Sequence, residues 1–293
     1  MFSIARRKII SAQWHAERHA AYVRWRYGPI RREGKPHGLD KPLIVSLTSF
    51  PTRFDALPLT LKCLLSQSIK ADEVMLWIAH EDESRLTKEI LSMQARGLSI
   101  RFCDDMKSFK KIIPAIKAYP GCYIVTADDD VYYRPTWLEE LISAWDGDKS
   151  EVVCHRAHRI RFDACGNPLP YQDWEFETSS AQRSPAIFPT GGGGVLYPPG
   201  IFDPRVTEEA LFTTLCPTAD DIWLYWMVRL NGGTARTLGK SRLVNWPNTQ
   251  NVNLWSDNLN GRNDDAIVRM IEHFGFPSDG VASSERFSVP AAQ

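Results

Sequence analysis

The chain has 293 residues, 43% of them hydrophobic, enough to bury a large core as one elaborated α/β domain or two small ones. Lysine plus arginine and aspartate plus glutamate balance at 35 each, so no overall field favours nonspecific binding of nucleic acid. The balance hides an asymmetry: residues 1–36 hold nine basic side chains against Glu17 and Glu33, a local charge of +7 that leaves −7 for the remainder. The six cysteines show no CxxC spacing and several lie in apolar runs, as expected of a reducing compartment. The first residues lack an uninterrupted apolar core and no run of about eighteen apolar residues occurs, so neither a secretory leader nor a membrane span is expected.

From Met1 to about Tyr27 the pattern predicts a helix, broken by Gly28-Pro29. Its arginines alternate with Ile4, Ile9, Trp14 and Trp25, which suits either an interfacial helix on an anionic membrane or a helix packed on the domain's own surface. The fold proper begins near residue 42 with a strand over 43–48, followed by a turn at Ser49-Phe50-Pro51 and a helix over 57–68. A strand over 74–79, a helix near 83–96, a short strand over 98–102, a helix near 109–118 and a strand over 122–127 come next. Apolar strands alternating with helical segments predict a mostly parallel sheet covered on both faces. Beyond Trp145 a strand over 151–155, a polar aromatic-rich stretch, a glycine run at 191–194, a helix from Ala219 to Leu230 and a helix near 263–274 are expected. The organisation expected is an arm (1–36), one domain (42–277, with halves 42–150 and 151–277) and a loose tail (278–293).

Chemistry concentrates in two acidic groups. Asp128-Asp129-Asp130 end a buried strand, where like charges crowd and lose water. A hard divalent cation, Mn²⁺ or Mg²⁺, would offset that crowding and takes carboxylate oxygens together with phosphates. In an extended segment Asp128 and Asp130 face one way and Asp129 the other. Asp220-Asp221 open the helix that continues through Ile222-Trp223, where the dipole favours a charged acid and so suits a general base; Thr218 is the expected cap. Gly191 to Gly194 permit close backbone approach, so a sugar could lie against Gly192, Gly193 and Gly194, and no Lys-Ser or Lys-Thr follows to make a phosphate loop. Cys154, His155 and His158 lack a second cluster at zinc-site spacing. Trp174, Tyr171, Trp246 and Trp255 are the aromatics available to stack on sugar rings.

The acidic triplet resembles the DxD motif of GT-A fold glycosyltransferases. The order of Thr48-Ser49-Phe50-Pro51-Thr52-Arg53, Trp77-Ile78-Ala79 and Lys107-Ser108-Phe109-Lys110-Lys111 before the triplet is similar to that fold as well. Thr190 to Pro199 and Thr218 to Trp223 resemble bacterial family-two-like transferases of capsule and surface-polysaccharide synthesis, over roughly residues 42–250. The resemblance implies a GT-A, Rossmann-like sheet and an enzyme moving a sugar, from a UDP-sugar first of all, to a carbohydrate or lipid-linked saccharide acceptor. It places Thr48, Ser49, Pro51, Arg53, Lys110, Asp128 and Asp129 near the donor, Asp128 and Asp130 at the metal, and Asp221 as base, with Asp220 standing where glutamate is usual. Inversion at the anomeric carbon and a cytoplasmic location, peripheral on the plasma membrane through the basic arm, are implied too. The rival readings are a metal-dependent sugar nucleotidyltransferase, whose glycine-rich phosphate loop Ser49-Phe50-Pro51-Thr52 does not supply, and a carbohydrate-binding module, which leaves the acids idle.

Overall fold

The computed structural model describes residues 2–30, 34–239, 243–247, 249 and 262–278, with side chains from residue 15 onward. Eight strands form one sheet. In chain order they are β1 (Leu43–Thr48), β2 (Glu73–Ala79), β3 (Leu98–Cys103), β4 (Tyr123–Thr126), β5 (Glu151–Cys154), β6 (Gln182–Ser184), β7 (Val195–Tyr197) and β8 (Thr234–Thr237). Across the sheet the order is β3-β2-β1-β4-β7-β5-β8-β6. The first four strands run parallel, as expected. The second half is mixed: β7 lies antiparallel to both β4 and β5, β5 and β8 are parallel, and β6 closes the edge antiparallel. Because β7 sits between β4 and β5, the segment after the glycine run is stitched into the middle of the sheet and joins the two halves.

The helices are α1 (Phe2–Tyr27), α2 (Leu57–Leu64), α3 (Lys88–Ser92), α4 (Ile113–Ala118), α5 (Trp137–Ala144), α6 (Glu209–Leu215), α7 (Asp220–Leu230) and α8 (Asn263–Phe274). Alternation along β1 explains the layering. Leu43, Val45 and Leu47 pack with α1, α2 and α5 on one face, while Ile44 packs on the other with Met75, Trp77 and Ala115 of α4. Farther along that second face, α6, α7 and α8 cover Val152, Cys154, Val195 and Tyr197. Strands apolar on both sides are the signature of a sheet buried between two helical layers.

Three expected helices are shorter than the sequence suggests, each for a local reason. The helix expected over 57–68 stops at Leu64, where the Gln67 amide turns back to donate to Cys63 O at 2.9 Å and to Arg134 O at 3.0 Å. The one near 83–96 is broken by Leu86-Thr87 in extended conformation, and Thr87 caps α3 by accepting from Ile90 N at 3.3 Å. The one near 109–118 divides into a 3₁₀ turn, Lys107–Lys111, and α4, whose Pro114 lies in the first turn where no N–H is needed.

The basic arm is helical, as predicted, and its second half is part of the fold. Ala21 and Trp25 are buried in the core on the α2 side, and Glu17 accepts from Arg134 at 2.6 Å. The side chains of Ile4, Ile9, Ile10 and Trp14, the tail beyond Ser278 and most of the loop 245–260, including Trp255, lie outside the described residues. Among the described residues no helix is long and apolar enough to cross a membrane. Trp25 is 2% exposed, so Trp25→Ala is expected to destabilise the protein by about 3 kcal/mol in urea unfolding. An unchanged midpoint would mean that the arm is not part of the cooperative core.

Candidate functional site

Strand β4 ends at Thr126, and the chain turns through Asp128, Asp129 and Asp130 at the carboxyl end of the four parallel strands. The three carboxylates go to three different places. Asp129 turns away toward β1, accepting from Ser49 Oγ at 2.5 Å. Asp130 pairs with Arg53 at 2.6 Å, both side chains about nine-tenths buried. Asp128 stays at the cleft with its side chain 35% exposed, and its Oδ1 lies 3.1 Å from Lys111 Nζ. Thr60 and Tyr133 fix the backbone of this turn: Thr60 Oγ1 donates to Asp129 O at 2.8 Å, and Asp128 N donates to Tyr133 Oη at 2.8 Å.

The second acidic pair arrives from the other half of the sheet. Asp220 and Asp221 open α7, whose N-terminus faces the β4 turn. Asp220 Oδ2 lies 2.9 Å from Lys111 Nζ, so one lysine bridges the triplet and the pair. Asp221 Oδ1 accepts from Gly191 N at 2.9 Å. The glycine run forms a 3₁₀ turn over Gly191–Gly193 that closes the site, with Gly192 O accepting from Tyr133 Oη at 3.0 Å and Gly193 O from Trp137 Nε1 at 2.8 Å. A side chain there would displace the charged groups of the site. A Cβ on Gly191 would lie 2.7 Å from Lys111 Nζ and 3.1 Å from Asp221 Oδ1, and one on Gly192 would lie 3.0 Å from Asp128 Oδ2. Gly194 has φ +94 and packs against the Trp137 ring, a conformation and a contact that only glycine permits.

Crowding shows in the acid strengths. Asp221 keeps a partly exposed edge, yet loss of solvation and the neighbouring Asp220 charge push its pKa from 3.8 to about 7, against the opposing pull of Lys111. Loss of solvation and the Asp130 charge likewise push Asp129 to about 7. Burial works against the Lys111 ammonium, but Asp128, Asp220 and Asp221 outweigh it and hold its pKa well above the usual lysine range. Among the described residues no three His, Cys, Asp or Glu side chains converge into an all-protein metal cage. The donor set nevertheless fits a hard divalent cation of the kind held by one or two carboxylates and completed by phosphate oxygens and water. Asp128 is the open carboxylate; Asp130, expected beside it as a metal ligand, is instead engaged by Arg53.

Several other expected site residues have structural duties. Arg53 is held by Asp130 instead of standing free for a phosphate. Lys110, expected near the donor, is buried and pairs with Asp105. Thr48 donates to Trp77 O at 2.8 Å, and Pro51 opens a 3₁₀ turn. Asp129 faces Ser49, which removes both from a free donor surface. Trp174 is not an acceptor platform: it is 3% exposed, packs on Phe188 and Tyr171, and donates to Leu169 O. Trp246 is buried and donates to Thr60 Oγ1. His158 is a core histidine whose pKa burial lowers to about 3, with Arg156 acting in the same direction. Thr218 does not cap α7; Ala219 stands at the cap position with no side-chain bond. Tyr133 carries no signal in the sequence, whereas Phe109, Ile112 and Ile113 around Lys111 mark a buried turn.

No protein-family model and no curated protein matches the chain. Among solved structures it is similar to GalNAc-T7 with UDP, GalNAc and Mn²⁺, with TM-score 0.43 and 12% identity, covering 70% of this chain and 44% of that one. The chain thus spans less than half the length of that protein, and a likeness of this size assigns no residue a role.

The raised acids make stability depend on pH. The folded state keeps protons on Asp129 and Asp221 up to about pH 7, while a free aspartate loses its proton at 3.8. The stability these groups contribute is therefore full at pH below about 4 and is lost as pH rises through 7. Asp129→Asn is expected to flatten the fall in melting temperature between pH 5 and pH 8. An unaltered slope would show that Asp129 ionises as an ordinary surface acid. Gly194→Ala is expected to cost at least about 2 kcal/mol in urea unfolding, combining a backbone region reserved for glycine with a clash.

Proposed function

We propose that the chain is a GT-A-type glycosyltransferase that moves a sugar from a nucleotide-sugar donor to a saccharide acceptor hydroxyl. The observation that carries this reading is the placement of Asp221. It is an acid poised near neutrality, aimed by Gly191 N–H, at the mouth of the parallel strands and beside Asp220, which a single lysine joins to Asp128. Ligands of open α/β sheets bind at that end of the strands. A base that takes a hydroxyl proton works best with a pKa near the working pH.

In the proposed reaction Asp221 accepts the proton of the acceptor hydroxyl, whose oxygen bonds to the anomeric carbon as the bond from that carbon to the diphosphate oxygen breaks. Attack from the face opposite the leaving group inverts the centre. A divalent cation held by Asp128 with the donor phosphates would neutralise the charge that gathers on the departing nucleoside diphosphate. The turn Gly191–Gly193, braced by Tyr133 and Trp137, keeps Asp221 and Asp128 on facing walls. UDP-sugars are the first donors to test, since the motifs resemble those of enzymes that use them.

A panel of nucleotide sugars assayed with Mn²⁺, with Mg²⁺ and with chelator tests the reading. Turnover is expected with metal and not with chelator, with kcat rising with pH to a plateau above about 7. Asp221→Asn should lower kcat on the order of a hundredfold or more, the usual range for loss of a general base. Full activity in this variant would assign the proton transfer elsewhere, and Asp220→Asn alone reproducing the loss would move the role to Asp220.

A lipid-linked acceptor and a seat on the cytoplasmic membrane face are further parts of the proposal, supported by the +7 charge of residues 1–36. Such a segment binds anionic bilayers in proportion to its cations and loses them to salt. Full-length protein should cosediment with anionic vesicles at low salt and not at high salt; no cosedimentation at low salt would remove the membrane from the account.

A further inference from the structure

The central lysine of the site has no assigned work in the reaction just described, yet its surroundings are built around it. Lys111 closes the 3₁₀ turn between β3 and α4, and its side chain is 8% exposed. Its main chain is pinned from beneath: Ser46 Oγ, on β1, donates to Lys111 O at 2.6 Å and itself accepts from Trp77 Nε1, on β2, at 3.1 Å. Ser46 is wholly buried and Trp77 nearly so. A buried indole-to-hydroxyl-to-carbonyl chain in an apolar sheet contributes little to stability that an apolar repacking could not, but it fixes one geometry. Here it fixes the point from which Lys111 emerges.

The ammonium reaches Asp128 Oδ1 at 3.1 Å and Asp220 Oδ2 at 2.9 Å. These carboxylates come from opposite halves of the sheet, one from the end of β4 and the other from the start of α7. The β4 turn and α7 are linked through Lys111 and through the glycine turn. The glycine turn is also shaped to the lysine, since a Cβ on Gly191 would sit 2.7 Å from Nζ. Without the ammonium, Asp128 and the α7 pair would repel across the cleft.

We propose that Lys111 is a positioning residue of the transfer site, with its ammonium clamping Asp128 on the donor side to Asp220 on the acceptor side, so that Asp221 is held where the acceptor hydroxyl it deprotonates lies within attack distance of the donor's anomeric carbon. Ser46 and Trp77 set the clamp's origin. The inference rests on the transferase reading and deepens it. It separates Lys111 from a phosphate ligand, which would act on donor affinity. A clamp acts on the relative placement of two bound partners, to which rates are steeply sensitive.

The test compares the full-length wild type with Lys111→Met, Lys111→Arg and Ser46→Ala. UDP with Mn²⁺ is the binding probe, and kcat and KM are measured with the donor found to turn over. Lys111→Met is expected to lower kcat on the order of a hundredfold while changing the affinity for UDP with Mn²⁺ by less than about tenfold. Lys111→Arg should recover part of that loss, and Ser46→Ala should lower kcat by about tenfold with KM unaltered. Should Lys111→Met fail to fold, Ser46→Ala carries the kinetic test. The pairing itself is read without activity: Lys111→Met should lower the melting temperature, and adding Asp220→Asn should restore part of it. Wild-type kcat in Lys111→Met, or a loss confined to UDP affinity, overturns the clamp. A wild type that turns over no nucleotide sugar overturns the transferase reading beneath it, and the melting experiment then tells whether the ion-pair bridge exists.

Discussion

The structure turns on the cost of gathering five carboxylates, Asp128, Asp129, Asp130, Asp220 and Asp221, around two buried cations, Lys111 and Arg53. Like charges brought together out of water must be paired, protonated or offset by a bound cation. Each outcome is present or provided for. Arg53 and Lys111 pair with Asp130, Asp128 and Asp220; Asp129 and Asp221 become weak acids; and Asp128 keeps an open edge. A fold with no use for excess negative charge would replace such residues with apolar ones at no loss of stability.

Much of the architecture serves this gathering. The parallel strands deliver the triplet to one edge of the sheet, and β7 inserts between β4 and β5 so that the preceding glycine turn lies over that edge. Tyr133 joins the two by accepting from Asp128 N and donating to Gly192 O, while Trp137 secures Gly193. The α7 helix is buried along most of its length among Phe212, Tyr197 and α8, so its acidic N-terminus has little freedom to withdraw. Rigid elements thus impose the proximity of acids that would otherwise separate.

The sheet's parallel half was legible in the sequence because strands buried on both faces are largely apolar runs, as in Leu43 to Leu47, broken only by Ser46, and Val74 to Ala79. The insertion of β7 was not, since a three-residue strand gives no periodicity to read. Helix ends failed where a side chain overruled propensity, as Gln67 and Thr87 do. Composition misled for Trp174 and Trp246, whose indoles serve the core, while Lys110, which the resemblance puts near the donor, pairs with Asp105 in the interior. The acidic residues themselves were readable, because nothing in helix capping or solubility asks for three aspartates at the end of a buried strand. Which of them faces the cleft depends on Ser49 and Arg53, some eighty residues away in the chain.

The central claim is that this charge is assembled to receive a nucleoside diphosphate together with a divalent cation. Titration calorimetry of UDP into the full-length protein, with Mn²⁺ and with chelator, tests it directly when paired with Asp128→Asn. The account predicts saturable UDP binding with Mn²⁺ that chelator abolishes and that Asp128→Asn severely weakens. UDP binding of equal strength with Mn²⁺ and with chelator, undiminished in Asp128→Asn, would contradict it.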